Sequence, residues 1–187
     1  MKRRDFLRTT LGAAGAAATL DRRALLWGGT KLNATDIVHL GPDKIKLTRL
    51  AIGTGTKGGS VQRQLGVQGL ADLLVSGYDQ GLFFWETADA YRTHPHVGQA
   101  LKRVPREKVT ILTKTRARTA EQMRADLDRF RQELGTDYVD IILLHALQSP
   151  DWPEERKGAM EVLSEARGKG IVRTHGVSCH SLEALRM

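Results

Sequence analysis

The chain has 187 residues, 41% hydrophobic and 27% charged, which is the balance of a soluble globular protein and excludes a disordered tail or a polytopic membrane protein. Its single cysteine, Cys179, excludes an intrachain disulfide and any multi-cysteine zinc or iron–sulfur site. The formal charge is +8, but Lys2, Arg3, Arg4, Arg8, Arg22 and Arg23 against Asp5 and Asp21 place half of that excess in the first 23 residues. The remainder is spread thinly, and no basic stretch is interleaved with the aromatics between Lys44 and Tyr91 as a stacking platform, so nucleic acid is not an expected partner.

The chain opens with a charged head, Met1-Lys2-Arg3-Arg4-Asp5-Phe6-Leu7-Arg8, followed by a weakly apolar Ala/Gly run from Leu11 to Leu20. That is the order of a secretory signal peptide. Ten such residues are too few and too weakly apolar for a bilayer that takes roughly 20, so no stable membrane anchor is expected. The arginine pair followed by x-Phe-Leu-Arg resembles the bacterial twin-arginine signal, which implies the twin-arginine export machinery as a partner and a periplasmic or otherwise exported location. Residues 1–30 read as this signal peptide, 31–43 as a linker and 44–187 as the folded domain.

From Lys44 onward, short β-rich runs alternate with longer amphipathic segments. Strands are predicted at 50–53, 82–87, 108–114, 139–145 and 172–178, starting 26 to 33 residues apart. This spacing fits successive βαβ units, because a parallel pair needs a crossover between its strands. Between them, Leu70, Leu73 and Leu74 precede Gly77 in one predicted helix, and Val97, Leu101 and Val104 line another. Thr119 with Gln122 forms a capping box, Met123, Leu127, Phe130 and Leu134 mark one buried face, and Gly135 stops that helix. The segment 154–169 has acids in its first turn, Met160, Leu163 and Ala166 on one face, and Arg167 and Lys169 near its end. The run Val139-Asp-Ile-Ile-Leu-Leu144 is apolar enough for a strand buried on both faces. The fold class is α/β.

Three of the strands end in an ionisable group: Glu86, Lys114 and His145. Carboxyl ends of parallel strands are where α/β folds assemble sites. Tyr91 follows Glu86 by five residues, close enough to share that rim. A free tyrosine, with a pKa near 10, is a poor proton donor at neutral pH, and an adjacent ammonium from Lys114 would bring it toward the working range. Glu86 would hold the lysine charged, and His145 would hydrogen-bond a carbonyl and stabilise the oxyanion formed as hydride arrives. The chemistry is carbonyl reduction. Two looser clusters, His94-Pro-His96 and His175 with Cys179 and His180, lack the spacing of a zinc site and read as solvated loop histidines.

The set Leu50-Ala-Ile-Gly-Thr54, Glu86-Thr-Ala-Asp-Ala-Tyr91, Leu112-Thr-Lys114, Asp137-Tyr-Val-Asp-Ile-Ile-Leu-Leu-His145 and Gly176-Val-Ser178 resembles the aldo-keto reductases in order and spacing. The resemblance implies a (β/α)8 TIM barrel that binds NADPH, or NADH, and reduces a small-molecule carbonyl such as an aldehyde, ketone or sugar. It also implies Tyr91 as proton donor, Lys114 and Glu86 as its support, His145 as the substrate-orienting group, and Gly53, Thr54, Ser178 and Cys179 against the cofactor. Where the family usually has Asp, this chain has Glu86, one methylene longer, with Asp89 as a second carboxylate for Lys114. Where it commonly has Asn, this chain has Cys179, a weaker partner for an amide. Five βα units are legible in residues 44–187, whereas eight typically take about 250 residues. The expectation is therefore an incomplete barrel, truncated at its carboxyl end, whose alternative role is that of a noncatalytic or weakly active cofactor-binding relative.

Overall fold

Alternation within each strand sorts side chains onto two faces. The computed structural model, which describes residues 31–187, shows both faces in use. Five parallel strands stand side by side in chain order: β3 (Ile52–Gly53), β4 (Phe84–Glu86), β5 (Thr110–Thr115), β6 (Val139–Leu147) and β7 (Val172–Cys179). They answer to the five expected runs, β3 to β5 with later starts. Trp85, Ile111, Ile142 and Leu144 project to one face, where the helices cover them in the main core with Leu70, Leu74, Met123 and Leu163. Phe84, Leu112, Ile141 and Leu143 project to the other. This two-sided burial is what a parallel sheet sheathed by helices requires.

The inner face is closed at its amino-terminal end by an element absent from the expectation. Residues read as linker contain β1 (Ile37–Leu40), which pairs antiparallel with β2 (Ile45–Thr48). Ile45 and Leu47 are buried against Ile141 and the side chains of Phe84, Leu112 and Leu143. The Thr110 hydroxyl donates to the Lys46 carbonyl at 2.8 Å, and the Phe84 amide donates to the Thr48 hydroxyl at 3.3 Å. β1 reads Ile-Val-His-Leu, without strict apolar/polar alternation, and Ile37 and Leu40 stay exposed.

Helix α1 (Ser60–Arg63) is a single turn leading into α2 (Gly66–Asp79), which buries Leu70, Ala71, Leu74 and Gly77. Leu73 is turned to solvent, and Gly77 does not stop the helix. A Cβ at Gly77 would overlap the Ile52 side chain, so glycine there lets α2 lie against β3. Helix α3 (His94–Leu101) follows a 3-10 turn at Asp89–Tyr91. Helix α4 (Ala120–Leu134) has the expected limits: the Gln122 amide donates to Thr119 Oγ1, the Gln122 side chain accepts from the Thr119 amide, and Gly135 ends it at φ 65°. Its four expected apolar residues are all buried.

The segment 154–169 is two helices, α5 (Trp152–Glu155) and α6 (Lys157–Gly168), divided at Arg156. At the break, where Arg156 has φ −115°, its buried guanidinium donates to the carbonyls of Arg116, at 2.6 Å, and Ala117, at 2.9 Å. The acids accordingly sit in the first turn of α5, and α6 turns Ala159, Val162, Leu163 and Ala166 inward while Met160 is only half-buried. Helix α7 (Leu182–Leu185) is capped by the Ser181 hydroxyl. No described helix is long and apolar enough to cross a membrane.

Candidate active site

On each central strand, the residue two places beyond the apolar inner-face residue is ionisable: Glu86 after Phe84, Lys114 after Leu112, His145 after Leu143. Period two puts all three on that same face, at the end away from the hairpin. The register staggers them. Glu86 lies opposite Leu112, and Lys114 lies opposite Leu143, so each group stands one inner-face step farther along than its neighbour, the shear that a barrel-type sheet imposes.

The stagger brings the groups into contact. The Lys114 ammonium is ion-paired with the Glu86 carboxylate, donates to the Thr87 carbonyl at 3.1 Å and lies 3.3 Å from the Tyr91 hydroxyl. The Tyr91 and His145 rings meet in a T-shaped contact, with centroids 5.9 Å apart and planes at 86°. Tyr91 arrives from the 3-10 turn and is seated by groups that the sequence reading did not single out. Arg63 donates to its backbone carbonyl. Gly55 is flush with its ring, so that a Cβ there would fall 2.5 Å from Cε2 and 3.0 Å from the hydroxyl. The glycine-dense stretch 53–59 was the available signal, since repeated glycines mark close backbone approach.

Burial pulls the Lys114 ammonium down from the ordinary lysine range to about 8, which leaves it charged at neutral pH, and the carboxylate in contact favours that form. His145 is pushed down to about 4, first by burial and then by the charges of Lys114, Arg116 and His180. It is therefore a neutral imidazole near pH 7. Its Nδ1 is buried and has no hydrogen-bond partner among the described residues.

The remaining expected site residues divide. Gly53 pairs with Glu86 across β3 and β4, and a Cβ there would lie 3.3 Å from the Glu86 carboxylate. The Thr54 hydroxyl is turned inward, 2.8 Å from that of Thr93, which in turn is 2.8 Å from that of Thr87. This buried chain of hydroxyls ties the β3 turn to the residues after β4. Ser178 shares the inner-face alternation of β7 with Gly176, the register partner of Leu143. Cys179 alternates to the opposite face and packs against the main core, so its thiol is turned away from Lys114 and His145. Asp89 does not serve Lys114; it accepts from Arg129 at 2.7 Å. His94 and His96 are not solvated loop residues but buried ones in the first turn of α3. No cluster of metal-ligating side chains occurs among the described residues.

A family model described as the aldo/keto reductase family matches residues 49–187. The chain belongs to the aldo/keto reductase family. Among curated members it is 27% identical over 170 residues to the NADH-specific methylglyoxal reductase of Escherichia coli, an alignment that covers 75% of this chain and 51% of the relative. It is 34% identical over 131 residues to an aldo-keto reductase of Mycobacterium ulcerans, covering 61% of this chain and 43% of the relative. The chain thus spans about half the length of the curated relatives it matches. Solved aldo-keto reductases share its fold. The Bombyx mori enzyme in complex with NADP superposes with a TM-score of 0.64 at 23% identity, over 76% of this chain and 50% of the other. The holo form of a Bacillus halodurans member gives 0.69 at 20% identity, over 81% and 52%.

Proposed function

We propose that this aldo/keto reductase reduces the carbonyl of a small molecule, an aldehyde, ketone or sugar, with NADPH as hydride donor and NADH as the alternative. The observation that carries the reading is the Lys114 ammonium 3.3 Å from the Tyr91 hydroxyl, with a neutral imidazole in T-shaped contact with the ring. The relatives support both cofactors: the Bombyx mori structure holds NADP, and the Escherichia coli relative is NADH-specific.

The inner rim suits such a cofactor, because the Ser178 hydroxyl shares the Lys114 face and the Gly53 backbone lies close against the Glu86 carboxylate. The Gly53 backbone and Ser178 would hold the nicotinamide end, with Cys179 contributing only its backbone. The bound cofactor supplies the hydride. A carbonyl oxygen placed between Tyr91 and His145 accepts hydrogen bonds from both. As negative charge grows on that oxygen, Tyr91 passes its phenolic proton to it, and the Lys114 ammonium faces the phenolate left behind. His145, neutral at pH 7, orients the carbonyl rather than supplying the proton. Glu86 keeps the lysine charged and in place.

Tyr91→Phe removes one oxygen and tests the assignment. Turnover of a probe aldehyde such as methylglyoxal should fall by about 10²–10⁴, while NADPH binding, read by fluorescence, is retained. Undiminished turnover would exclude Tyr91 as the donor.

We further propose that residues 1–30, which lie outside the described residues, direct the protein through the twin-arginine route to the periplasm. The Arg3-Arg4 pair before a weak Ala/Gly core supports this reading.

A further inference from the structure

Helix α4 is polar along a face that the carbonyl-reduction chemistry does not use. Asp126, Arg129, Phe130 and Glu133 fall at i, i+3, i+4 and i+7, hence on one side of the helix. Asp126 contacts the active-site strand and Arg129 the turn directly, while Glu133 and Phe130 contact His94, which in turn meets the strand. The Thr115 hydroxyl donates to Asp126 at 2.5 Å. Arg129 donates to Asp89 and Asp126, both at 2.7 Å, and to Glu133 at 3.2 Å. The other Glu133 oxygen lies 2.9 Å from His94 Nδ1, and His94 Nε2 lies 2.7 Å from the Thr113 hydroxyl. The His94 ring is fully enclosed and meets Phe130 edge-to-face, with centroids 4.6 Å apart and planes at 68°. Donors and acceptors balance if neutral His94 gives its Nδ1 proton to Glu133 and accepts the Thr113 hydroxyl proton at Nε2.

The ends of this chain of contacts are informative. Thr113 and Thr115 are the two neighbours of Lys114 in β5, and Asp89 opens the 3-10 turn that closes with Tyr91. The helix face therefore holds the lysine's strand directly at Thr115 and through His94 at Thr113, and holds the tyrosine's turn through a single guanidinium. A bidentate or tridentate guanidinium fixes geometry in a way that an ammonium does not.

We propose that the Asp126–Arg129–Glu133 face of α4, with His94, is a positioning brace that sets the spacing of Tyr91 from Lys114, and that Arg129 is its hub. The inference rests on the carbonyl-reduction reading for its kinetic consequence, but the placement of Tyr91 can be read without turnover. Arg129 touches no substrate. It acts through Asp89.

The test uses the full chain carrying Arg129→Met, Asp89→Asn and the pair together, with Arg103→Met as control because it breaks another exposed ion pair, that of Arg103 with Asp72. The readouts are single-turnover rates with NADPH and methylglyoxal, the KM values, and the ring-proton NMR signals of His145, which sense the Tyr91 ring 5.9 Å away. A displacement of about 1 Å at a reacting group costs on the order of 10²-fold. Arg129→Met should lower kcat by about tenfold to a hundredfold, leave both KM values within about twofold, and move the His145 signals. The double variant should be no slower than the worse single one, as for two residues acting through one contact, and Arg103→Met should change nothing.

Unmoved His145 signals, or losses that add in the double variant, would overturn the brace. So would a fall in melting temperature alone. Should the wild-type chain show no turnover, the carbonyl-reduction reading fails while the His145 signals still decide the brace. If Arg129→Met does not fold, Asp89→Asn at the partly exposed turn carries the same readouts.

Discussion

Replacing Lys114 by methionine removes a cation 3.3 Å from the Tyr91 oxygen while keeping most of the side chain's volume. Coulomb's law gives about 5 kcal/mol between that ammonium and a full phenolate at an effective dielectric of about 20, and about 1.3 kcal/mol in bulk water. With roughly half the charge developed at the transition state, the loss is about 0.6–2.5 kcal/mol, or about threefold to seventyfold in rate. The Lys114 side chain is only 9% exposed, so the upper end is expected. The same group sets the alkaline limit. Because burial brings it to about 8, raising the pH through 8 discharges the ammonium, and the wild-type rate should fall there. In Lys114→Met that limb should vanish, leaving a low rate that is flat across the same range. Single-turnover oxidation of NADPH with methylglyoxal, followed from pH 6 to 10, measures both effects without interference from product release. An unchanged rate, or an alkaline limb that persists at the same pH in the variant, would refute the electrostatic role given to Lys114.

Three other perturbations follow from particular contacts. Gly55→Ala places a methyl group 2.5 Å from Tyr91 Cε2; the ring must move, and kcat should fall by about tenfold to a hundredfold with a melting temperature within a few degrees of wild type, as calorimetry would show. His145, held at about 4 by burial and neighbouring cations, binds fewer protons folded than unfolded between pH 4 and 6.5. Stability should therefore be lost as pH falls through that window, by at most about 3–4 kcal/mol from this residue, and His145→Asn should flatten part of the acid limb in urea titrations. Changing both Arg3 and Arg4 to lysine should leave the precursor in the cytoplasm of a bacterial host, and fractionation showing undiminished periplasmic protein would exclude twin-arginine export.

What the sequence alone determined was local in origin. Parallel strands separated by helical crossovers, the capping box at Thr119, the stop at Gly135 and the buried stripe of α4 all follow from periodicity and backbone chemistry within a few residues, and the structure has each of them. The three ionisable strand ends were equally legible, because a polar residue that terminates an apolar run is visible without knowing its neighbours. Tertiary structure decided which of them meet. Glu86 and Asp89 are both carboxylates within reach along the chain. The β4–β5 register sends the first to Lys114, while Arg129, forty residues beyond Asp89, claims the second. Cys179 and Ser178 are adjacent in sequence, yet strand alternation turns one into the core and the other onto the Lys114 face. The alternation in β2, Ile45-Lys-Leu-Thr48, is too short to mark a hairpin by itself, and β1 is mostly exposed; the pair is ordered by an inner face assembled from residues about 35 to 105 positions farther along the chain. His94 reads as a loop residue until α4 supplies Glu133 and Phe130 to enclose it. In each case the deciding partner is distant in sequence, and only the closing of the sheet and helix layers brings it within hydrogen-bonding range.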